Sequence, residues 1–468
     1  MKVIHISAEC YPIAKVGGLA DVVGALPKYL NEQGAQASVI MPFYKLPYTD
    51  KASVDLVYEA GLYLNKEHLT YRVVKDNNAQ LGYDLYLIDV PVLLYEDYVY
   101  SQDDTMRFMA FQIAALQFIQ TLKIKPAVVH CHDHHTGLIP FMMQHCAMFE
   151  NIKHIPTVLT IHNAQYQGWF SHDRIALLPS FNPVHTGLLD WNGAINALAA
   201  GIKCAWRINT VSPSYMEELM VHANGLEWLL AHERAKCTGI LNGIDSSVWD
   251  TATDPFLVAN YAVSSNVSGK KANKKWLCQQ FSLDIDKPLV VFIGRLVYEK
   301  GSDLFPEAFE VLLKTGDVSL LLLGSGDKET ESRLRELKDR EVKNFNMHIG
   351  FDESLSRKMY AGADFLLMPS RVEPCGLNQL YSLRYGTVPI VSNVGGLKDT
   401  VVDVAAGGYG FVMQEITVDA IVKAVNRAAI AYKDATWLQK NRKHIMKLDY
   451  SWEHAAGQYM ALYEPLKN

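Results

Sequence analysis

The chain has little cysteine and no paired cysteine motif. Seven of its 468 residues are cysteine, and no Cys-x-x-Cys pair occurs. An odd, scattered set argues against the disulfide framework of a small secreted protein and against a structural zinc site. No apolar run reaches the ~20 residues that a membrane-spanning helix needs. The first residues run straight into a strand pattern with no signal-peptide pattern ahead of them, so we expect a cytoplasmic protein.

Neither sign of charge dominates. The sequence has 44 Lys and Arg residues against 50 Asp and Glu residues, a formal net charge of −6, and it lacks a long basic run. This balance argues against nucleic acid or an anionic membrane as the main partner. Hydrophobic content of 49% and charged content of 20% are typical of a globular protein. The length predicts two or three domains.

Two common phosphate-binding signatures are missing after the first strand pattern, at 2–7. Neither the Gly-x-Gly-x-x-Gly fingerprint nor a Gly-Lys-Ser/Thr loop occurs there. Instead, Lys15, Gly17 and Gly18 lead into a helix pattern. The glycines let a ligand approach the backbone, and the free amides of the first helical turn favour negative charge. The loop therefore suggests a phosphate site, although an ordinary tight turn remains the alternative.

Strand and helix patterns alternate along most of the chain, which is typical of parallel sheets covered by helices. The strand patterns lie at 3–7, 38–41, 85–89, 127–131, 157–161, 208–211, 289–293, 320–323, 347–349, 365–368 and 389–391. The helix patterns include 19–33, 105–121, 193–205 and 452–463. Residues 50–80 alternate weakly and suggest an antiparallel extension. We predict an α/β protein with two doubly wound domains and a ligand site in the cleft between them.

A polar segment separates the two halves. Residues 246–275 are rich in Ser, Ala, Asn, Thr and Lys and show no strong apolar period. This composition predicts an exposed connection between domains.

Two cations follow the strand pattern at 289–293. Arg295 and Lys300 stand where the strand ends, and a diphosphate suits this pair, since arginine presents a planar fork and lysine a point charge. The alternative is that one of them pairs with a carboxylate for structure alone.

The segment Glu373-Pro374-Cys375-Gly376-Leu377 follows the strand pattern at 365–368, and we expect a helix to begin near Leu377. Phosphate repels a carboxylate, so Glu373 is predicted to contact neutral sugar hydroxyls. Cys375 is a weaker candidate as a nucleophile, because no histidine is close in sequence. A further glycine pair, Gly395-Gly396, again connects a strand to a helix and resembles the opening loop.

Histidines cluster at the ends of two strand patterns, at 130–135 and at 162. A metal site is conceivable, but successive strand residues point to opposite faces, so we expect the histidines not to converge. Hydrogen bonds to a polar ligand are favoured for Asp133 and His162, which stand where strands leave the sheet. A purely structural hydrogen bond remains the alternative for each histidine.

These motifs together resemble bacterial glycogen synthases and plant starch synthases, which are two-domain glycosyltransferases of the GT-B type. The matching stretches occur in family order and cover the chain from residue 1 to about 463. They are Lys15-Val16-Gly17-Gly18-Leu19-Ala20-Asp21, His130-Cys131-His132-Asp133, Ile161 to Gly168, Leu241-Asn242-Gly243-Ile244-Asp245, Gly294-Arg295-Leu296 with Lys300-Gly301, Pro369-Ser370-Arg371 with Glu373 to Leu377, and Gly395-Gly396-Leu397.

The resemblance implies two Rossmann-like domains facing across a deep cleft, at 1–245 and 288–445. Residues 246–287 would form the linker and the start of the second domain, and a final helix in 446–468 would pack back on the first. It also implies transfer of glucose from a nucleotide-diphosphate glucose to the nonreducing end of an α-1,4-glucan, with the anomeric configuration retained. ADP-glucose is favoured over UDP-glucose as the donor.

The family's site residues can be carried over position by position. Lys15, Arg295 and Lys300 would bind the diphosphate, and His162 and Glu373 would contact the transferred glucose. The other implied contacts are Asp133 and Asn242 at the sugar end, Asp21 near the nucleotide or acceptor, Phe351 on the base, and the backbone around Gly17, Gly18, Cys375, Gly376 and Leu377.

The chemistry agrees with this assignment. Cleavage of the sugar–phosphate bond puts negative charge on the leaving group, which cations and helix amides stabilise. The departing phosphate can accept the acceptor's proton, so no dedicated base, metal or cofactor is expected. The chain departs from the family at Asn378, where threonine is expected, and at Phe351, where a tyrosine often stacks. Both changes bear on nucleotide preference.

Two other functions remain open at this point. One is a GT-B transferase with a different donor or acceptor, and the other, less favoured, is a carbohydrate-binding relative without turnover. A dinucleotide oxidoreductase fits poorly, because the glycine fingerprint is missing. The sequence does not determine the oligomeric state.

Overall fold

The structure is a computed structural model that describes residues 1–340 and 343–467. The described residues form two compact units. The first comprises Met1–Asn242 and the segment that begins at Trp452, and the second comprises Gly243–Ser451. No described helix has the length and apolar character to cross a bilayer.

Strands and helices of the first unit alternate from its first residues. The strands are β1 (Lys2–Ile6), β2 (Gln36–Pro42), β3 (Val54–Leu64), β4 (Glu67–Asp76), β5 (Asp84–Asp89), β6 (Val128–His132), β7 (Thr157–Ile161), β8 (Trp169–Phe170), β9 (Asp190–Trp191), β10 (Ala194–Asn196), β11 (Arg207–Thr210) and β12 (Cys237–Gly239). The helices are α1 (Gly18–Glu32), α2 (Thr105–Thr121), α3 (Ile139–His145), α4 (Thr186–Leu189), α5 (Ala197–Cys204), α6 (Pro213–Leu219) and α7 (Glu227–His232).

The large sheet of the first unit has the strand order β12-β11-β7-β6-β1-β2-β5-β4-β3. Its strands from β12 to β5 pair in parallel, and β3 and β4 add an antiparallel hairpin at one edge, which confirms the predicted extension. The chain moves from β1 toward β2 on one side and from β6 toward β7 on the other. The crevice beyond the ends of β1 and β6 is therefore the switch point at which doubly wound sheets bind ligands.

The second unit repeats this plan with a parallel sheet. Its helices are α8 (Asn266–Phe281), α9 (Phe305–Thr315), α10 (Lys328–Asp339), α11 (Glu353–Gly362), α12 (Asn378–Arg384), α13 (Gly395–Thr400), α14 (Val418–Tyr432) and α15 (Ala435–Ile445). Its strands are β13 (Leu289–Ile293), β14 (Ser319–Gly324), β15 (Phe345–Ile349), β16 (Phe365–Met368), β17 (Val388–Ser392) and β18 (Phe411–Met413). Their order is β15-β14-β13-β16-β17-β18, so the switch point lies between β13 and β16.

Both faces of this second sheet are covered, as the continuous apolar strand patterns predict. Val290 and Phe292 of β13 pack into one apolar cluster, whereas Leu289 and Val291 pack into another. This division follows from the two-residue period of a strand. A sheet buried on both faces holds its strand ends firmly, and the site residues described below follow those ends.

The prediction of an exposed connection at 246–275 is wrong for its last third, 266–275. Helix α8 begins at Asn266 and is packed against α11. Its inward face carries polar side chains, including Lys270, whose ammonium donates to carbonyl oxygens of Ala361 and Tyr385. The apolar period was absent because this face is anchored by hydrogen bonds instead of apolar packing.

The last helix, α16 (Trp452–Tyr463), belongs to the first unit and packs on α1. Trp452, Tyr459 and Tyr463 are buried with Val22 and Leu26 in one apolar cluster. The chain thus leaves the first unit after Asn242 and returns to it at Trp452.

Candidate active site

The opening loop of the first unit is organised by Glu9, which follows β1. One carboxylate oxygen of Glu9 accepts hydrogen bonds from the amides of Val16 and Gly17 at 2.6 and 2.9 Å. The other accepts from the hydroxyl of Tyr100 at 2.5 Å. Glu9 is 3% exposed, so its buried carboxylate holds the loop immediately before α1 in place through these hydrogen bonds.

Gly17 and Gly18 face open space. A Cβ atom built on either glycine meets no atom within 4 Å, and neither glycine has a positive φ. The fold itself therefore tolerates a side chain at these positions. Helix α1 starts at Gly18, and the amides of its first turn lack partners inside the helix. Packing within the described residues therefore does not require glycine here, and the phosphate site stays a prediction.

Lys15 stands beside this loop with its charge paired to Asp21. Nζ of Lys15 lies 2.6 Å from Oδ1 of Asp21, and the two side chains are 48% and 27% exposed. Burial raises the pKa of Asp21, and Lys15 partly offsets this effect. An exposed ion pair of this kind is weak, so Lys15 can exchange Asp21 for a phosphate oxygen.

Asp133 and His162 each follow the end of a strand, β6 and β7, at the positions that the sequence predicts, and the structure brings them into contact. Oδ1 of Asp133 accepts a hydrogen bond from the amide of His162 at 2.7 Å. Asp133 has φ 55° and ψ −173°, a conformation that is strained for a residue with a Cβ. Its burial raises its pKa to about 7, although amides of His162 and Asn163 counteract the shift. Strain and a perturbed carboxyl at a strand end are typical of functional sites.

The expectation that the strand histidines do not converge is wrong for two of them. His130 and His132 are two residues apart on β6 and share a face, with ring centroids 4.3 Å apart. His5 of β1 lies beside them, and one ring nitrogen from each of the three histidines lies within 4.8 Å of the other two. The two-residue period of a strand explains the convergence. Hydrogen bonds within the described residues occupy five of these six ring nitrogens.

Asn242 lies at the end of the first unit. It is 7% exposed, and its Oδ1 has no hydrogen-bond partner among the described residues. A buried acceptor without a hydrogen-bond partner is uncommon in proteins, and this distinguishes Asn242 from its neighbours.

The second unit brings Lys300 and Glu373 together at its switch point. Lys300 follows β13 and Glu373 follows β16, and Nζ lies 2.6 Å from Oε2. The hydroxyl of Ser370 also donates to this oxygen at 2.8 Å. The two side chains are 24% and 8% exposed. One of the two predicted cations thus has a carboxylate partner, and that partner is itself a predicted site residue.

Arg295 differs from Lys300 in its surroundings. Its side chain is exposed and forms no ion pair or hydrogen bond with any described residue. An unpaired guanidinium at a strand end is free to bind a diphosphate in bidentate fashion.

Arg371 ties together the loops that carry Lys300 and Glu373. Its guanidinium contacts both carboxylate oxygens of Asp303 at 2.6 and 2.9 Å and donates to the carbonyl of Tyr298 at 2.6 Å. Its amide donates to the carbonyl of Glu299 at 2.8 Å. Arg371 therefore fixes the positions of the two loops relative to each other.

The turn after Glu373 has the predicted shape. Gly376 has φ 73°, and α12 begins one residue after Leu377. Cys375 is 4% exposed, which fits a packing role better than a nucleophilic one.

Gly395-Gly396 does not repeat the opening loop. A Cβ on Gly395 would lie 2.1 Å from the carbonyl oxygen of Glu373, and one on Gly396 would lie 2.0 Å from that of Cys375. These glycines let one backbone pack directly on the Glu373 loop, so their role is structural.

Phe351 and Asn378 mark the two departures noted in the sequence. Phe351 follows β15 and is 91% exposed, so its ring is free to stack on a planar ligand. Nδ2 of Asn378 donates to the carbonyl of Ile293 at 2.7 Å. Asn378 thus anchors the end of β13 immediately before Arg295.

Sequence reasoning missed Glu9 and Arg371. Glu9 lies three residues after the end of β1. That position could have identified it, because ligands in this fold bind near the ends of the strands. Arg371 was read only as part of a motif, because its partner Asp303 lies 68 residues away.

Two family models match the chain in succession. Residues 2–232 match the model described as the starch synthase catalytic domain, and residues 277–444 match glycosyl transferases group 1. The glycogen synthase of Flavobacterium johnsoniae is 46% identical over 466 residues, which cover 99% of this chain and 98% of that protein. Glycogen synthase 2 of Geobacter metallireducens is 38% identical, with coverage of 99% and 98%.

The fold is also similar to a solved structure. The catalytic domain of starch synthase IV from Arabidopsis thaliana, bound to ADP and acarbose, matches with a TM-score of 0.88 and 29% identity. The match covers 99% of both chains.

Proposed function

Because the chain belongs to the glycogen and starch synthase family of retaining glycosyltransferases, we propose that its donor is ADP-glucose. In this proposal it adds the glucose to the nonreducing end of an α-1,4-glucan. Two points favour the adenine nucleotide: the similar starch synthase IV was solved with ADP and with acarbose, and the sequence motifs resemble ADP-glucose users.

The observation that carries the proposal is the Lys300–Glu373 pair at the switch point of the second unit. The pair joins a cation suited to phosphate and an oriented carboxylate suited to sugar hydroxyls, 2.6 Å apart. A nucleotide sugar presents these two chemistries next to each other. Arg295, which has no partner within the described residues, supplies a second phosphate contact.

In the proposed reaction the bond between the anomeric carbon and the phosphate oxygen breaks. Negative charge then develops on the diphosphate, where Arg295 and Lys300 of the second unit stabilise it. The amides around Gly376 add to this stabilisation, and in the first unit Lys15 and the amides at the start of α1 are assigned to a phosphate group. The departing phosphate oxygen accepts the proton of the acceptor hydroxyl as the new glycosidic bond forms.

Hydroxyls of the glucosyl unit are assigned to His162 and Asp133 within the first unit, and Glu373 is assigned to sugar hydroxyls within the second. Burial lowers the pKa of His162 to about 3, so its ring is neutral at physiological pH and acts through hydrogen bonds. Lys300 and Ser370 both donate to Oε2 of Glu373 and so orient its carboxylate. Asn242 offers one more acceptor to a hydroxyl.

The nucleotide base is assigned to Phe351. A ring that is 91% exposed contributes little to the fold, and stacking on a base gives it a role. Phenylalanine retains the stacking of a tyrosine and lacks only its hydroxyl.

A donor panel tests this function. ADP-glucose, UDP-glucose and GDP-glucose are each incubated with the full chain and glycogen, and the products are analysed for new α-1,4 linkages. We expect ADP-glucose to give the highest kcat/KM. A protein that binds glucan without turnover with any donor, or that glycosylates only a different acceptor, would contradict the proposal and support one of the alternative functions.

A further inference from the structure

Three histidines form a continuous chain from the interior of the first unit to its strand ends. Nδ1 of His5 lies 3.0 Å from Nε2 of His132, and Nδ1 of His132 lies 3.0 Å from Nε2 of His162. His5 and His132 are 0% exposed and His162 is 8% exposed. The residues come from β1, from β6 and from the position after β7, so the sheet itself sets their spacing.

The two ends of this chain differ. Nε2 of His5 is buried and has no partner among the described residues. Nδ1 of His162 also has no partner there, but it is open to solvent at the strand ends. Solvent therefore cannot reach Nε2 of His5, whereas Nδ1 of His162 is available to a ligand.

All three rings are neutral. Burial lowers the pKa of His5 and of His162 to about 3 and lowers that of His132 well below its usual value. A neutral imidazole has one N–H and one bare nitrogen. In a chain of neutral rings each bond must run in the same direction, so only two arrangements use both contacts.

In one arrangement every Nδ1 carries the proton. His5 donates to His132, His132 donates to His162, and Nδ1–H of His162 faces outward. The atom without a partner is then the bare Nε2 of His5. In the other arrangement every Nε2 carries the proton, and the interior end holds a buried N–H without an acceptor.

The first arrangement is favoured, because orphaned buried N–H groups are rarer in proteins than unsatisfied acceptors. We infer that His5 and His132 are positioning residues that hold His162 in its Nδ1–H form, so that it presents a hydrogen-bond donor to the glucosyl unit. The inference rests on the proposed assignment of His162 to that unit. His5 and His132 themselves need not touch the substrate.

His130 provides an internal contrast on the same face of β6. Thr160 donates to Oδ1 of Asn209 at 2.5 Å, so its oxygen accepts from His130 Nε2 at 2.6 Å. Nδ1 of His130 then accepts from the hydroxyl of Tyr463 at 2.6 Å. His130 is thus fixed in the opposite tautomer by a closed network, independent of His162.

Long-range ¹H–¹⁵N correlation spectra of the intact protein, labelled at histidine, test the inference without any assay of activity. The expected pattern is protonated Nδ1 and bare Nε2 at His5, His132 and His162, with the reverse at His130. Couplings through the N–H···N bonds would show the direction of each bond. A protonated Nε2 at His162 would overturn the inference.

Two variants separate the hydrogen bond from the volume of the ring. His132→Leu removes the donor to His162 and should lower kcat/KM for the donor sugar about three- to tenfold, the range expected for one lost hydrogen bond. The spectra of this variant should also show His162 exchanging between its Nδ1–H and Nε2–H tautomers, because the bond that selects one of them is gone. His132→Asn keeps a donor near the Nδ1 position and should restore most of both readouts.

His130→Leu is the matched control on the same strand face. It should lower stability and leave the tautomer of His162 unchanged. If His132→Asn behaved like His132→Leu, or if His132→Leu changed neither readout, His132 would not position His162. Should the donor panel show no transferase activity while the spectra show the expected pattern, the proposed function would fail and the tautomer assignment would stand.

Discussion

Nζ of Lys300 lies 2.6 Å from Oε2 of Glu373, although the residues are 73 positions apart in the chain. The contact joins the ends of β13 and β16, the two neighbouring strands from which the chain departs in opposite directions. It gives the carboxylate a fixed orientation and partly neutralises it beside the proposed phosphate site. In the proposed donor site, Lys300 would contact both the diphosphate and Glu373, so the pair would link donor binding to the glucosyl unit.

Gly18→Ala is expected to affect ligand binding and not folding. An added Cβ meets no atom within 4 Å, and alanine favours the helix that starts here, so the free energy of unfolding should stay the same or rise by up to about 1 kcal/mol. The KM for the donor should rise about tenfold, because the methyl group would occupy the space that we assign to phosphate. Donor kinetics and urea denaturation measure both effects.

Gly396→Ala is the contrasting control, since its Cβ would lie 2.0 Å from a carbonyl oxygen. We expect it to lose about 2 kcal/mol of stability or more. Equal stability losses in the two variants would show that Gly18 is a packing glycine.

Asp133→Asn should change the pH dependence of stability. The folded pKa of Asp133 is raised from 3.8 to about 7 by burial, so the folded state favours the protonated carboxyl. Its contribution to stability is fully present below about pH 4 and is lost as pH rises to about 7. The variant lacks this loss, so its stability relative to the parent should increase between pH 4 and pH 8 by on the order of 2–4 kcal/mol.

Urea denaturation of both proteins at several pH values tests this difference. The comparison cancels the effect of the buried histidines, which the two proteins share. A stability difference that does not vary with pH would mean that Asp133 titrates near its ordinary value.

Arg371→Ala should loosen the loop that carries Lys300. It removes the bidentate contact with Asp303 and the bond to the carbonyl of Tyr298. We expect kcat/KM to fall about tenfold to a hundredfold, because a small displacement of a binding group reduces turnover strongly. Arg371→Lys should not restore it, since lysine lacks the planar fork.

The control is Arg333→Ala, which removes an exposed ion pair with Glu307 elsewhere in the second unit. Its activity should equal that of the parent protein. Normal kinetics of Arg371→Ala would show that the loops keep their positions without it.

Phe351→Ala should weaken donor binding and leave the fold intact. The side chain is 91% exposed, so its removal should change stability by less than about 0.5 kcal/mol. The loss of a stacked ring should raise the KM for the donor roughly fivefold or more, whereas Phe351→Tyr should keep it low. Ile430→Ala, at another exposed apolar side chain, is the control. An unchanged KM in Phe351→Ala would exclude the ring from the base site.

The sequence predicts the strands of this fold well and its polar helix poorly. Continuous apolar runs located β7, β13 and β16 with the bounds that the structure shows. Helix α8 was missed because its buried face includes Lys270, Lys274 and Asn273, which carry no apolar period. Hydrogen bonds to loops far along the chain determine that helix, and local patterns cannot show them.

The same distinction holds for the candidate site. Strand ends predicted where Asp133, His162, Lys300 and Glu373 would stand, because parallel sheets bind ligands at those ends. The sequence could not show the Lys300–Glu373 bond. The sequence also could not distinguish Gly17-Gly18, which borders open space, from Gly395-Gly396, which packs against a neighbouring backbone.

The most direct test compares kcat/KM for ADP-glucose, at saturating glycogen, between the parent protein and the variants Lys300→Ala and Glu373→Gln. Lys314→Ala and Glu310→Gln, from an exposed pair in the same unit, serve as matched controls. We predict that each site variant remains folded and loses at least about a hundredfold to a thousandfold in kcat/KM, while the controls lose nothing. Near-parental activity in both site variants would contradict the assignment of this pair to the donor.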